Sequence, residues 1–221
     1  RHSCRKYSNE KMSLSQALTI CISGYGMQEN GKFMVPSAGG LYPLKVYLIV
    51  QDDQKDFPSG LYEFDPDTSS LVLYEELIDL EDLKYCFNRE EMFGSKVQLV
   101  IAADFDKQGY KYANRAYRFS LIETGHVAQN ICLAAASLGL ATCELGGTLD
   151  EAMKQALNMP GGYWPTLAMT IGYEDCSDTV QETDFLGFIE QNVGKDKPVK
   201  SVNVWSNVGS FYTATATYYD N

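Results

Sequence analysis

One segment constrains this chain more than any other. From about Ala116 to Leu138, leucine, isoleucine and alanine recur at helical spacing, and around Ile131–Ala136 the pattern is largely apolar. A helix of that kind has to be covered by other elements, so it is expected near the centre of its domain. Its most apolar stretch, Ile131 to Cys143 with Ser137 and Thr142 as interruptions, is shorter than the ~20 residues a bilayer crossing needs, and Gly139 ends the helix. No transmembrane helix is expected.

The elements around this helix do not alternate as βαβ units. Ser13 with Gln16 three residues on is a capping box, and Leu14, Ala17, Leu18, Cys21 and Ile22 keep helical spacing until Gly24. A breaker-rich loop, Gly31 to Pro43, feeds a strand over Leu44–Val50. Leu61–Phe64 and Leu71–Tyr74 flank the turn Asp65-Pro66-Asp67-Thr68, which predicts a hairpin. A buried strand is expected over Val97–Ala103, a helix over Asp150–Leu157, a strand over Leu167–Ile171, and strand-like residues recur at Val202–Val204 and Phe211–Tyr218. This order favours an α+β sheet packed on helices over a doubly wound parallel sheet.

With 221 residues, 45% hydrophobic and 21% charged, the chain suits one folded domain and excludes a disordered or low-complexity protein. The net charge of -11 is uneven: Asp52 to Glu91 holds 13 acids against Lys55, Lys84 and Arg89. An acidic chain of this kind argues against general nucleic-acid binding, while the local basic clusters Arg1/Arg5/Lys6 and Lys107/Lys111/Arg115/Arg118 allow a focused anion site. Six cysteines lack metal-site or redox spacing and read as reduced, buried thiols. The first residues lack a signal peptide's apolar stretch, so a cytoplasmic location is expected; the missing initiator Met suggests a piece of something longer.

Four constellations bear chemistry. Arg1-x-Ser3-x-Arg5 places two guanidinium groups and a hydroxyl on one side of an extended segment, suited to phosphate oxygens, although a solvated basic terminus looks the same. Pro36-Ser37-Ala38-Gly39-Gly40 lets backbone N–H groups approach a flat ligand or an anion, or is simple turn chemistry. Leu145-Gly146-Gly147 ahead of a helix carries the same two readings. Lys111 beside Tyr112 offers a base, once its environment lowers the lysine pKa, and a hydroxyl that relays a proton; the alternative is a basic loop with Tyr117 tucked into the core. His126 reads as a core histidine, and with His2 as the other histidine neither a Ser-His-Asp mechanism nor a His-rich metal site has support.

In this order the pieces resemble the nitroreductase superfamily, in its SagB-type or thiazole/oxazole-forming dehydrogenase branch. The likeness runs from about Arg1 to Gly172 and is carried by VPSAGGLYPLKVY (Val35 to Tyr47) and YRFSLIETGHVAQNICLAAASLGLATCELGG (Tyr117 to Gly147). Branch members often carry an Arg just before the first block, where this chain has Lys32-Phe33-Met34-Val35. The resemblance implies a mainly antiparallel α+β sandwich that dimerises with FMN at the interface. Residues 1–194 would form the FMN oxidoreductase domain, and 195–221 a strand-like extension or linker, exchanged between subunits in some members.

The same resemblance implies that Arg1, Ser3 and Arg5 hold the FMN phosphate, that Pro36, Ser37, Ala38 and Gly39 border the flavin near N5, and that Gly146 and Gly147 lie against its other side. Azoline dehydrogenases of the branch carry an adjacent Lys-Tyr pair where Lys111 and Tyr112 stand. The implied reaction is oxidation of a peptide thiazoline or oxazoline, with Lys111 assisted by Tyr112 taking a ring proton while hydride passes to FMN and dioxygen reoxidises it. The heterocyclic peptide would be carrier-bound or presented by a partner enzyme. An NAD(P)H-dependent nitro- or flavin reductase and a catalytically silent FMN-binding scaffold are the competing readings.

Overall fold

The computed structural model describes residues 2–75, 80–87, 94–175, 199–208 and 211–218. They fall into two compact units, Arg1–Asp175 and Cys176–Asn221. The boundary expected at 194/195 lies outside the described residues.

The first unit is built on a six-stranded sheet in the order β3-β2-β1-β4-β6-β5, from β1 (Leu44–Val50), β2 (Gly60–Asp65), β3 (Ser70–Glu75), β4 (Val97–Asp104), β5 (Ala141–Leu145) and β6 (Tyr163–Gly172). Every neighbouring pair is antiparallel. The central strands β1 and β4 are buried on both sides, which explains the apolar runs Val46–Val50 and Leu99–Ala103 within them. Val46, Leu48, Val50, Leu99 and Ile101 join one core with α1 (Leu14–Tyr25) and α4 (Ala116–Ser137). Tyr47, Ile49, Val100 and Ala102 point the other way, into a second core that includes Leu83 and Cys86 of α2 (Leu80–Cys86) and Met153 of α5 (Asp150–Ala156). The sheet is thus sandwiched between two helical layers.

The capping box of α1 is present, Ser13 Oγ accepting from the Gln16 N–H while Gln16 Oε1 accepts from the Ser13 N–H. Helix α1 crosses α4 closely at Gly24, where a Cβ would lie 2.7 Å from Ile131 Cγ1. Helix α4 buries Val127, Ile131 and Ala135 against the sheet, yet leaves Tyr117, Ile122 and Leu133 exposed. The helix expected near the centre of its domain is thus buried along one face and exposed along the other. Tyr117 is not tucked into the core and His126 is not a core histidine; both face away from the sheet.

The described cysteines are buried free thiols; Cys176 lies outside the described residues. No described helix is long and apolar enough to cross a membrane. The described residues of the second unit form an antiparallel hairpin, β7 (Val199–Val208) with β8 (Phe211–Tyr218), where the sequence shows strand-like residues.

Candidate active site

The loop that enters β1 is built to present its backbone. Val35 is buried and anchors one end; Ser37 is extended, and Ala38–Gly40 makes a 3-10 turn in which Gly39 has φ 68° and Gly40 has φ 64°. These left-handed conformations suit glycine, which has no Cβ to meet the following carbonyl. Tyr42, itself at φ 47°, donates its N–H to Ser37 Oγ at 2.9 Å and stacks its ring on Phe33 at 4.1 Å. Its carbonyl accepts a hydrogen bond from Lys107 Nζ at 3.1 Å. The turn is held by hydrogen bonds and ring stacking on both flanks.

A short helix, α3 (Phe105–Tyr112), faces this turn. The Asp104 side chain caps it by accepting the Lys107 N–H, and Lys111 and Tyr112 form its last residues. The chain then reverses at Ala113 (φ 46°, ψ -132°) before α4 begins. The Tyr112 ring meets Phe119 of α4 edge-on at 4.9 Å. A Cβ placed on Gly39 would lie 2.6 Å from the Tyr112 hydroxyl oxygen and 2.8 Å from Lys111 Nζ. The two constellations, separated by some 70 residues in sequence, therefore meet: the Lys-Tyr pair closes on Gly39, one of the two glycines of the turn.

The remaining expected site residues form a second group along β5. Ser3 bridges Thr142 in a parallel sense and the Cys4 N–H donates to the Thr142 carbonyl at 2.9 Å. Cys4 is buried, while Ser3 and Arg5 on either side of it are exposed, as are His2 and Lys6; Arg1 lies outside the described residues. Gly146 and Gly147 directly follow β5 and are exposed. No protein atom would obstruct a Cβ on Gly146, so its own chain does not require a glycine there.

Sequence reasoning passed over Glu123. It lies on the buried face of α4 with 1% of its surface exposed. One carboxylate oxygen accepts from the Ser37 hydroxyl at 2.6 Å, the other from the Tyr25 hydroxyl at 3.2 Å, and Tyr25 in turn accepts the Leu44 N–H at 3.1 Å. Burial pushes the Glu123 pKa up to about 7, against the lowering effect of the Ser37 and Tyr25 hydrogen bonds and of the Lys107 ammonium. The available signal was phase: Ala116, Ser120, Glu123, Val127 and Ile131 share the inward face, and a carboxylate at such a position needs partners.

The fold is an α+β sandwich in which a glycine turn lies against the Lys111–Tyr112 pair. Residues 1–173 match the Nitroreductase family, and the chain belongs to it. Proteins of this family generally bind FMN. Among its relatives, "Putative nitroreductase MJ1384" of Methanocaldococcus jannaschii is 34% identical over 178 residues, covering 78% of this chain and 86% of that protein. The microcin B17-processing protein McbC of Escherichia coli is 25% identical over 163 residues, covering 67% of this chain and 57% of McbC, so the match spans little more than half of that protein. The same fold occurs in the E. coli microcin synthetase McbBCD complex with truncated pro-MccB17 bound, at a TM-score of 0.69 and 23% identity over 77% of this chain and 67% of that one.

Proposed function

We propose that this chain is an FMN-dependent azoline dehydrogenase, oxidising thiazoline or oxazoline rings of a peptide to thiazole or oxazole in natural-product biosynthesis. The observation that carries the reading is the approach of Lys111 Nζ and the Tyr112 hydroxyl to the Cβ-free position of Gly39. A flat, anionic cofactor is proposed to lie along this loop, where Gly39 and Gly40 offer backbone without a side chain, with the exposed Ser3 and Arg5 available to its anionic group. Arg1, Ser3 and Arg5 would hold the FMN phosphate; Pro36 to Gly39, and Gly146 with Gly147, would border the ring system.

Making the ring aromatic removes one proton and one hydride from it. Lys111 takes the proton, assisted by the neighbouring Tyr112. FMN, when bound, supplies the hydride acceptor, and dioxygen regenerates it. Lysine acts as a base when its ammonium form is poorly solvated, and Lys111 is exposed in the single chain. Substrate, cofactor and a second copy of the chain supply the cover. The second copy is proposed to lie on the exposed apolar side of α4, giving a homodimer. Kinship with McbC supports a peptide substrate presented by a partner enzyme.

The 34% identity to MJ1384 favours a second reading, an NAD(P)H-dependent nitro- or flavin reductase, which needs no base at Lys111. Absorbance from 300 to 550 nm and mass analysis of released cofactor test for FMN. Lys111→Ala then separates the activities. Azoline oxidation is expected to fall about 10²-fold or more with FMN retained, in the range of a lost general base. Unchanged oxidation would remove Lys111 from the mechanism. Rapid NADPH bleaching, equal in both proteins and without azoline turnover, would establish the reductase.

A further inference from the structure

The buried Glu123 is left over once Lys111, Tyr112 and the glycine turn have their roles. It makes no contact with the Lys-Tyr pair in the hydrogen bonds above; its partner is Ser37, two residues before Gly39. A hydroxyl has one hydrogen to give and two lone pairs to receive with. Here Ser37 gives its hydrogen to Glu123 and receives from the Tyr42 N–H. The hydroxyl hydrogen is thereby turned inward, away from anything bound over the turn.

The other carboxylate oxygen is already committed to the Tyr25 hydroxyl. When Glu123 carries its proton on the oxygen facing Ser37, that oxygen becomes a donor into the second lone pair of the Ser37 oxygen. The Ser37 hydrogen must then turn outward. The charged and titratable groups around the carboxylate are Tyr25 from α1, whose own ionisation burial opposes, and Lys107 from α3, with Tyr163 of β6 acting on Tyr25 one step out. None of these is a second acid that would absorb the proton first.

We infer that Glu123 is a positioning residue of the Ser37–Gly40 turn: its carboxylate holds the Ser37 hydroxyl hydrogen inward, and its protonation releases that hydrogen as a donor to a ligand lying over Gly39. This rests on the flavin reading for the identity of the ligand, an aromatic ring with acceptor nitrogen and oxygen atoms. The midpoint of the change, near pH 7, places it where ordinary conditions populate both forms.

Glu123→Gln and Ser37→Ala test it with two readouts. The first needs no flavin: carbon NMR of side-chain-labelled glutamate in the apo-protein, with the E123Q spectrum assigning the signal. The Glu123 carboxyl is expected to titrate near 7, and S37A, which removes a donor to the carboxylate, is expected to raise that midpoint by half a pH unit or more. An unmoved midpoint overturns the inference. The second is FMN affinity between pH 5.5 and 8.5 by fluorescence quenching.

Wild-type affinity is expected to rise several-fold as the pH falls through 7. E123Q, whose amide nitrogen donates to Ser37, is expected to hold the low-pH affinity throughout, and S37A the high-pH affinity. Parallel pH profiles in all three, or loss of affinity in both variants alike, overturn it in favour of a structural role. Absence of FMN binding at every pH refutes the flavin reading, whereas the carboxyl titration still decides the Ser37–Glu123 link.

Discussion

At the scale of single residues, Gly39 and Gly40 provide a matched pair. Both are left-handed, so alanine at either position costs about 1–2 kcal/mol of backbone strain. Only at Gly39 does the added methyl meet the Tyr112 hydroxyl and the Lys111 ammonium; at Gly40 nothing lies within 4 Å. Gly39→Ala and Gly40→Ala are thus expected to lower the unfolding midpoint similarly, while Gly39→Ala alone displaces the Lys-Tyr pair and lowers azoline oxidation. Equal activity losses in thermal-unfolding-matched samples would show that the close approach has no chemical role. The glycines and the Lys-Tyr pair stand out in the sequence because each is an unusual residue in an unusual setting. Their meeting does not, since it depends on how the loop and α3 fold back on each other, which no local pattern records. Glu123 was missed for the opposite reason: it stands inside a strong helical pattern, where its neighbours drew attention to hydrophobicity instead of phase.

At the scale of elements, α1, β1, the β2–β3 hairpin, β4, α4 and α5 follow from periodicity and capping, within a residue or two. The short elements α3 and β5 were not separated from their surroundings. Helix α3 is polar on most of its surface and is defined by its Asp104 cap, and β5 has five residues, one of them exposed. Strand β6 begins earlier than its apolar run, because Tyr163 to Pro165 pair with β4 beyond a bulge at Ile101/Ala102. Helix α4 raises a sharper question, since its exposed side includes apolar residues. Ile122 and Leu133, three turns apart, lie on one line of that surface and are 51% and 55% exposed. A second copy seated there would bury both. Ile122→Glu and Leu133→Glu are accordingly expected to shift sedimentation from dimer to monomer at micromolar concentration while leaving the secondary structure intact, because neither side chain is buried within its own chain. A wild-type monomer, or a dimer indifferent to both changes, would place the interface elsewhere.

At the scale of the whole molecule, the sandwich puts an ionisable group where its pH response becomes a property of the fold. The carboxyl of Glu123 ionises about pH 7 when folded, against an ordinary value of 4.5. Between those values the folded chain holds a proton that the unfolded chain has released, so raising the pH favours unfolding. The contribution is fully present below the unfolded value and is lost as the pH passes through the folded one, on the order of 3 kcal/mol in total. Asp53 and Asp65 act in the other direction: hydrogen bonds from Ser59 and from Thr68 hold their carboxyls below the usual range, so their contribution is lost only in stronger acid. The net charge of -11 adds a self-repulsion that grows with pH and reinforces the decline. Denaturation by urea at pH 5 and pH 8 is therefore expected to show a less stable wild type at pH 8. Glu123→Gln, which cannot ionise, is expected to keep only the shallower part of that decline, the part general repulsion supplies. Parallel stability curves for the two proteins would mean that Glu123 is already ionised when folded, and that the Ser37 hydroxyl is held inward at every pH in the range.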